Sequence, residues 1–140
     1  MKTKTYLTVV LFCALAANAQ LTVTVASSKV SGQKALVPLA MKNSLTETVQ
    51  SARAVVFILD DQGKVTGQAT RWVIGGPKAP DGLSPGATNS FQFVVTSNKL
   101  IPPNATAKVT FNRVVLQSGK LADVNKDVQV FASDKNAPAK

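Results

Sequence analysis

The amino-acid sequence predicts an all-β domain, folded as a two-sheet antiparallel sandwich of seven to eight strands. Apolar residues recur at every second position in several stretches, for example at Phe91, Phe93 and Val95. This period buries one face of a strand in a core. Turn-forming sequences such as residues 60–63 (DDQG) and 84–86 (SPG) separate these stretches, at spacings typical of a sandwich. No stretch shows a comparable helical period.

The first three predicted strands lie at residues 21–26, 35–42 and 52–60. The first alternates between apolar and polar residues, so it has one buried face. The second contains Pro38, which lacks the amide hydrogen of a strand ladder and therefore favours a sheet edge or a bulge. The third contains the continuous apolar run AVVFIL at residues 54–59, which predicts a central strand.

Four more strands are predicted at residues 64–74, 88–96, 106–116 and 120–131. In the strand that begins at residue 106, Ala107, Val109 and Phe111 share one phase. The same phase would place Arg113 in the core. A bulge near Asn112 and Arg113 removes this conflict. The alternative is that the Arg113 side chain extends past the end of the sheet into solvent.

Residues 1–19 predict a secretory signal peptide. Two lysines precede an apolar segment at residues 7–17, and the sequence ANA at residues 17–19 provides the small residues of a cleavage site. The apolar segment is shorter than the roughly 20 residues that a membrane-spanning helix needs. We therefore expect a secreted or periplasmic chain. Retention of the segment as an anchor is the alternative.

Cleavage after Ala19 would leave one domain at residues 20–132 and a polar tail at residues 133–140, which we expect to be disordered. Cys13 is the only cysteine and lies within the signal peptide. The mature domain would then have no disulfide, so its stability must come from the burial of apolar side chains. No later segment is long and apolar enough to span a membrane as a helix.

The composition argues against catalysis. The chain of 140 residues contains no histidine, the most common general base and a frequent metal ligand. After loss of Cys13 it would have no thiol nucleophile, and nothing in the sequence brings two carboxylates together for acid–base chemistry. We expect a non-enzymatic protein without catalytic residues or a cofactor.

The chain is basic, with a formal net charge of +9. Its cations are scattered along the sequence with no run of three, so the pattern does not predict a nucleic-acid interface. A weak peripheral attraction to anionic envelope polymers or lipid head groups would follow from the charge. The alternative is that the surplus lysines keep the domain soluble and protect strand edges.

Three segments resemble the FxLYD-type domain, a small immunoglobulin-like module of exported prokaryotic proteins. They are residues 42–44 (KNS), 57–65 (FILDDQGKV) and 83–86 (LSPG). Two departures are Asp60, where the family pattern has tyrosine, and an insert at residues 75–82. The resemblance covers about half of the mature chain. It implies an immunoglobulin-like sandwich that serves as an interaction or accessory module of the cell envelope, and it transfers no catalytic residue.

The insert and the strand before it form the first candidate binding site. Trp72 is the only tryptophan and follows Arg71, and Lys78 lies within the insert. Long loops on a sandwich often carry its function, and an exposed tryptophan can stack on a sugar or hold a peptide, with the cations attracting an anionic partner. The alternative, favoured by the size of the ring, places Trp72 and Ile74 in the core.

The second candidate site is a metal site at Asp123, Asn125 and Asp127. Oxygen side chains at alternate positions are typical of the start of a calcium loop. However, the sixth position of that loop requires glycine and holds Val128. The alternative is that the three side chains share one face of an extended strand and point into water.

The sequence thus predicts an exported, non-enzymatic binding or interaction module of the bacterial cell envelope, with an unknown envelope protein or glycan as its partner. The alternative is a structural or assembly accessory protein that pairs an exposed edge strand with a strand of another protein. Pro38 and the strand at residues 21–25 are the predicted location of that edge.

Overall fold

The computed structural model describes residues 19–77 and 79–132, and the described residues form eight β-strands without a helix. The strands are β1 (Leu21–Val25), β2 (Lys29–Ser31), β3 (Lys34–Asn43), β4 (Val49–Leu59), β5 (Val65–Ile74), β6 (Thr88–Thr96), β7 (Thr106–Leu116) and β8 (Val128–Ala132). The all-β prediction is confirmed. Apart from Ala19, the predicted signal peptide and the predicted tail lie outside the described residues. Among the described residues, no helix is long and apolar enough to cross a membrane.

The strands form two sheets. One sheet contains β6, β3, β1 and β8 in this order, with the short β2 beside the first part of β3, and the other contains β5, β4 and β7. Strand β3 lies between β1 and β6 while β4 pairs with β7, which is the strand pairing of an immunoglobulin-like sandwich. All pairs are antiparallel except β1 with β8, which is parallel.

The core lies between the two sheets. Strand β3 alternates strictly, with Ala35, Val37 and Leu39 buried. Strand β4 buries Ala52, Ala54, Val56 and Ile58 against them, while its intervening residues are half-buried on the outer face. The period of two that predicted the strands is therefore the period at which side chains enter this shared core.

The prediction that Pro38 marks an edge or a bulge is wrong. Strand β3 is central, and Pro38 pairs with Gln92 of β6 without a register shift. On the other side of β3 the chain passes from β1 to β2, and the Pro38 carbonyl accepts a hydrogen bond from Ala26 N at 2.9 Å. Because the amide and carbonyl of a residue in an antiparallel strand point to the same side, the missing donor of Pro38 falls at this gap. Strand β1 is not an edge either, since it lies between β3 and β8.

The predicted bulge in β7 is confirmed. Arg53 pairs with Arg113 and Ala54 pairs with Phe111, so Asn112 is an extra residue in β7. Asn112 and Arg113 are both exposed. The bulge therefore moves Arg113 out of the phase that would have buried it.

Two elements differ from the prediction. Residues 120–127 are not a strand, because only Leu121 forms an isolated bridge, with Val115, and residues 124–127 form a turn. The strand starts at Val128. Strand β2 was not predicted, since its three residues are too few to show a period.

Candidate functional site

A groove opens where the two sheets present free strand edges on the same side of the sandwich. Among residues 19–77 and 79–132, β5 pairs with β4 alone and β6 pairs with β3 alone. The space between them has a volume of about 850 Å³. We call it the edge groove, and its lining residues are Thr70, Arg71, Trp72, Pro77, Pro80, Ser90, Phe91, Gln92 and Val94.

The two edges touch at one end of the groove. Ser97 Oγ donates a hydrogen bond to Thr66 O at 2.6 Å. Beside it, a Cβ atom on Gly67 would lie 3.4 Å from both Ser97 Cβ and Val95 Cγ1, so the glycine permits the close approach of β6. Arg71, on the same phase of β5 as Gly67, is exposed. The edges therefore separate along β5 towards Arg71.

A bulge in β5 determines the position of Trp72. Ala52 pairs with Ile74 and Arg53 pairs with Trp72, so Val73 is an extra residue. As a result Val73 and Ile74 are both buried and Trp72 turns to the outer face, where it is half-buried. The predicted alternative that placed Trp72 in the core is wrong for this reason.

The Trp72 ring contacts a cation. The Arg53 guanidinium carbon lies 5.4 Å from the ring centroid, within the range of a cation–π interaction. Arg53 Nε also donates a hydrogen bond to Asn112 Oδ1 at 2.9 Å. Arg53 thus covers part of the indole, and the ring is neither in the core nor freely exposed.

The loop after β5 is a compact turn held against Trp72. Gly75 N donates to Pro80 O at 2.8 Å, and Ala79 N donates to Gly76 O at 3.0 Å. A Cβ atom on Gly76 would collide with Trp72 Cβ, so the absence of a side chain permits the contact. Lys78, the third predicted binding residue, lies outside the described residues.

The edge groove is suited to binding. Its walls carry two aromatic side chains, Trp72 and Phe91, with Val94 as an exposed apolar residue. Phe91 is held by an edge contact with the buried Phe93, at 6.1 Å between ring centroids and 71° between planes. Among the described lining residues, Arg71 is the only ionised one. The described part of the lining therefore offers apolar surface and the positive charge of Arg71.

Arg71 and Trp72, two of the three predicted binding residues, both line this groove, and their role in binding stays a prediction. The β6 side was not recognised as part of the site. Phe91 was identified only as an inward-facing strand residue, and Val94 received no role. Val94 could have been found from the sequence, because it is an apolar residue at a strand position that alternation assigns to the solvent-exposed face of β6.

The second candidate site, at Asp123, Asn125 and Asp127, forms a turn that its own carboxylates close. Asp127 Oδ2 accepts a hydrogen bond from Asp123 N at 2.9 Å, and Asp123 Oδ1 accepts one from Asn125 N at 2.9 Å. The alternative of an extended strand is wrong here. Among residues 19–77 and 79–132, no three His, Cys, Asp or Glu side chains form a group that could hold a metal ion. This geometry does not test the calcium site that the sequence suggested.

No known family model matches the chain, and no curated protein matches it either. Solved structures do match. A Bordetella pertussis protein designated ApaA has a TM-score of 0.53 and 19% identity over 74% of this chain and 85% of its own. A structural genomics target has a TM-score of 0.47 and 16% identity over 74% and 76%. The archaellum periplasmic stator protein complex FlaF and FlaG from Sulfolobus acidocaldarius has a TM-score of 0.36 and 13% identity over 71% and 83%.

The similarity to the Bordetella protein concerns the fold. At 19% identity the two chains share the arrangement of strands, which many unrelated functions use. The function of this chain must therefore be argued from its own surface.

Proposed function

We propose that this protein is an exported, non-enzymatic binding module of the cell envelope, which holds an extended segment of a partner protein in the edge groove. One observation carries the proposal. The groove is an apolar cleft bounded by two strands whose outer edges pair with no other strand in the described part of the chain. Such an edge can add a strand from another chain. In this groove the binding site is also an exposed strand edge, so a binding module and a protein that pairs its edge strand with a partner would be the same function.

The hydrogen-bonding direction of β6 supports strand addition. The Pro38 carbonyl points to β1 and away from β6, since it accepts a bond from Ala26 N. Pro38 and Gln92 are therefore a non-hydrogen-bonded pair, and the main-chain groups of Gln92 point away from β3. The same alternation directs the main-chain groups of Val94 outward. Both residues line the groove, so their amide and carbonyl groups are available to a partner strand.

Side chains that line the groove would determine which partner segments bind. A strand placed along β6 would direct alternate side chains towards Phe91 and Trp72, which supply apolar contact. Arg71, at the open end of the groove, favours an acidic residue in the partner. Export is supported by the predicted signal peptide, and a non-enzymatic role is supported by the absence of histidine from the sequence.

A peptide selection tests this proposal. Random linear peptides displayed on phage are selected on the purified mature protein and then measured by fluorescence anisotropy. Val94 and Val65 are matched residues, with 42% and 47% of their surface exposed, but only Val94 lines the groove. We expect Val94→Arg to weaken the selected peptides about tenfold or more, which corresponds to 1.4 kcal/mol. Val65→Arg should leave their affinity unchanged.

A second variant separates strand addition from simple apolar contact. Gln92→Pro removes an amide that points to the groove and leaves the β3 ladder intact. It should weaken the peptides while the melting temperature stays near that of the parent protein. Selection of no peptide, or of peptides that bind Val94→Arg as well as the parent, would refute the proposal. A glycan array on the same protein would reveal the other predicted class of partner.

A further inference from the structure

Acidic and basic residues occupy different parts of this fold. Every acidic residue in the described part of the chain lies outside the strands, namely Glu47, Asp60, Asp61, Asp81, Asp123 and Asp127. By contrast, seven cations lie on strands: Lys29, Lys34, Lys42, Arg53, Arg71, Lys108 and Arg113. The scattered pattern of the sequence thus becomes a segregated one, in which the sheets carry positive charge only.

Most of the acidic side chains are engaged by the backbone. Asp60 Oδ1 accepts hydrogen bonds from two amides of its own turn, at 2.9 and 2.8 Å. Asp123 and Asp127 close the turn before β8, and Glu47 Oε1 accepts from Ser118 N at 3.2 Å. These carboxylates stabilise turns and do not neutralise the cations of the sheets.

Two of these cations, Arg53 and Arg113, lie side by side on the outer face of the sheet formed by β5, β4 and β7. Both neighbouring strands are bulged at the level of Arg53, by the extra residue Val73 in β5 and by Asn112 in β7. Bulges are frequent beside functional sites, where they redirect a side chain. Here the two bulges place Trp72 and Asn112 on either side of the Arg53 side chain.

Arg113 lies directly opposite Arg53 on the adjacent strand. Two like charges at facing positions destabilise a sheet, and the described strands place no acidic residue on this face. Arg53 contacts the Trp72 ring and donates from its Nε atom to Asn112, so the hydrogen bond to Asn112 does not use its terminal nitrogens. Lys108, which pairs with Phe57, adds a third cation to the same face.

We propose that Arg53 and Arg113 bind a phosphate group of an anionic envelope molecule. Guanidinium groups bind phosphate through paired hydrogen bonds, and two of them provide enough donors for both free oxygens of a phosphodiester as well as for the three of a phosphate monoester. The bound group would also remove the repulsion between the two arginines. The site is on the outer face of the sheet and meets the edge groove at Trp72, which Arg53 contacts, whereas Val94 of the groove lies on the other sheet.

The test titrates inorganic phosphate into the mature protein at about 0.15 M salt, where weak surface attraction is screened. The readouts are the Arg53 Nε–H resonance and the emission of Trp72. We expect a saturable change in both. Arg113→Gln should weaken the apparent affinity about tenfold or more, and Arg53→Lys should weaken it less, because lysine keeps the charge without the planar fork. Lys34→Gln, on the other sheet, should have no effect.

Thermal unfolding gives a second readout. Phosphate should raise the melting temperature of the parent protein and of Lys34→Gln, but not that of Arg113→Gln. Because Arg113→Gln removes a like-charge pair, the variant should fold at least as well as the parent without phosphate. An unsaturable response, or the same loss of affinity in Lys34→Gln, would overturn the proposal. The peptide selection with Val94→Arg is unaffected by this result, so the two proposals fail separately.

Two further arms identify the source of the phosphate. Vesicles of phosphatidylglycerol present it as a lipid head group, and a soluble glycerol-phosphate polymer presents it along a chain. Binding of the vesicles that Arg113→Gln abolishes identifies a lipid head group. Binding of the polymer with the same dependence identifies an envelope polymer.

Discussion

The Asn43 side chain donates a hydrogen bond from Nδ2 to the carbonyl oxygen of Leu83 at 2.8 Å, across 40 positions of sequence. The side chain is fully buried. Its second amide hydrogen bonds to Glu47 O at 2.8 Å, and its Oδ1 accepts from Leu45 N at 2.9 Å. One amide therefore joins the end of β3, the turn that follows, and the segment before β6.

The first prediction concerns this amide. Asn43→Ala should lower the free energy of unfolding by about 2 kcal/mol, because it removes the donor to the part-buried Glu47 carbonyl and the acceptor of Leu45 N. The Leu83 carbonyl loses one of its two bonds and keeps the one from Val49 N. Urea denaturation measures the change as a lower midpoint. Asn104→Ala is the matched control, since Asn104 is an exposed turn residue, and it should change stability by no more than about 0.5 kcal/mol. Equal effects of the two substitutions would contradict the role of Asn43.

The sequence located most of the strands, because their residues alternate into one core. Strands β6 and β7 have the ends predicted for them. Other features depend on chain segments that are distant in sequence. The segments around Asn43 and Leu83 were both noted, yet nothing in them indicates that one side chain joins the two. The sequence shows that Pro38 lacks an amide donor. It does not show that this position faces the gap between β1 and β2, because that gap arises only when both short strands pair with the same side of β3.

The sequence predicted only part of the candidate site, because the rest depends on segments that are distant in sequence. Arg71 and Trp72 were identified from their residue types, and the structure places both in the edge groove. The orientation of Trp72 was not predictable, since an extra residue in a strand reverses the phase that alternation assigns. The facing positions of Arg53 and Arg113 depend on the pairing of β4 with β7, which the sequence does not specify.

The second prediction concerns the contact between the loop and Trp72. Gly76→Ala should lower stability by about 1 to 3 kcal/mol, because the added methyl group collides with Trp72 Cβ and the loop must move. The Trp72 emission should change as well. Gly119→Ala is the control, since Gly119 has a φ of 87° with open space around it. It should lower stability through backbone strain alone, and an unchanged Trp72 spectrum in both variants would contradict the contact.

The third prediction uses Trp72 as the single fluorophore of its kind in the chain. Arg53→Ala should shift its emission to longer wavelength and increase quenching by acrylamide, because the guanidinium that covers the ring is removed. The loss of the cation–π contact should cost about 0.5 to 1 kcal/mol. Lys108→Ala, on the same face of the sheet, should leave the spectrum unchanged. If acrylamide quenches the parent protein and Arg53→Ala equally, the stacking of Arg53 on Trp72 is refuted.

The fourth prediction concerns the turn at Asp123 and Asp127. A calcium ion needs six to eight oxygen ligands, and here carboxylate oxygens of both residues already accept backbone hydrogen bonds. We therefore expect no heat and no change in melting temperature with calcium at about 10⁻³ M, the weak end of the range for extracellular sites. Asp127→Ala should instead lower stability by about 1 kcal/mol with or without calcium, and Asp61→Ala, at an exposed turn, should not. A calcium-dependent rise in melting temperature that Asp127→Ala abolishes would show that these oxygens bind the ion in preference to the backbone.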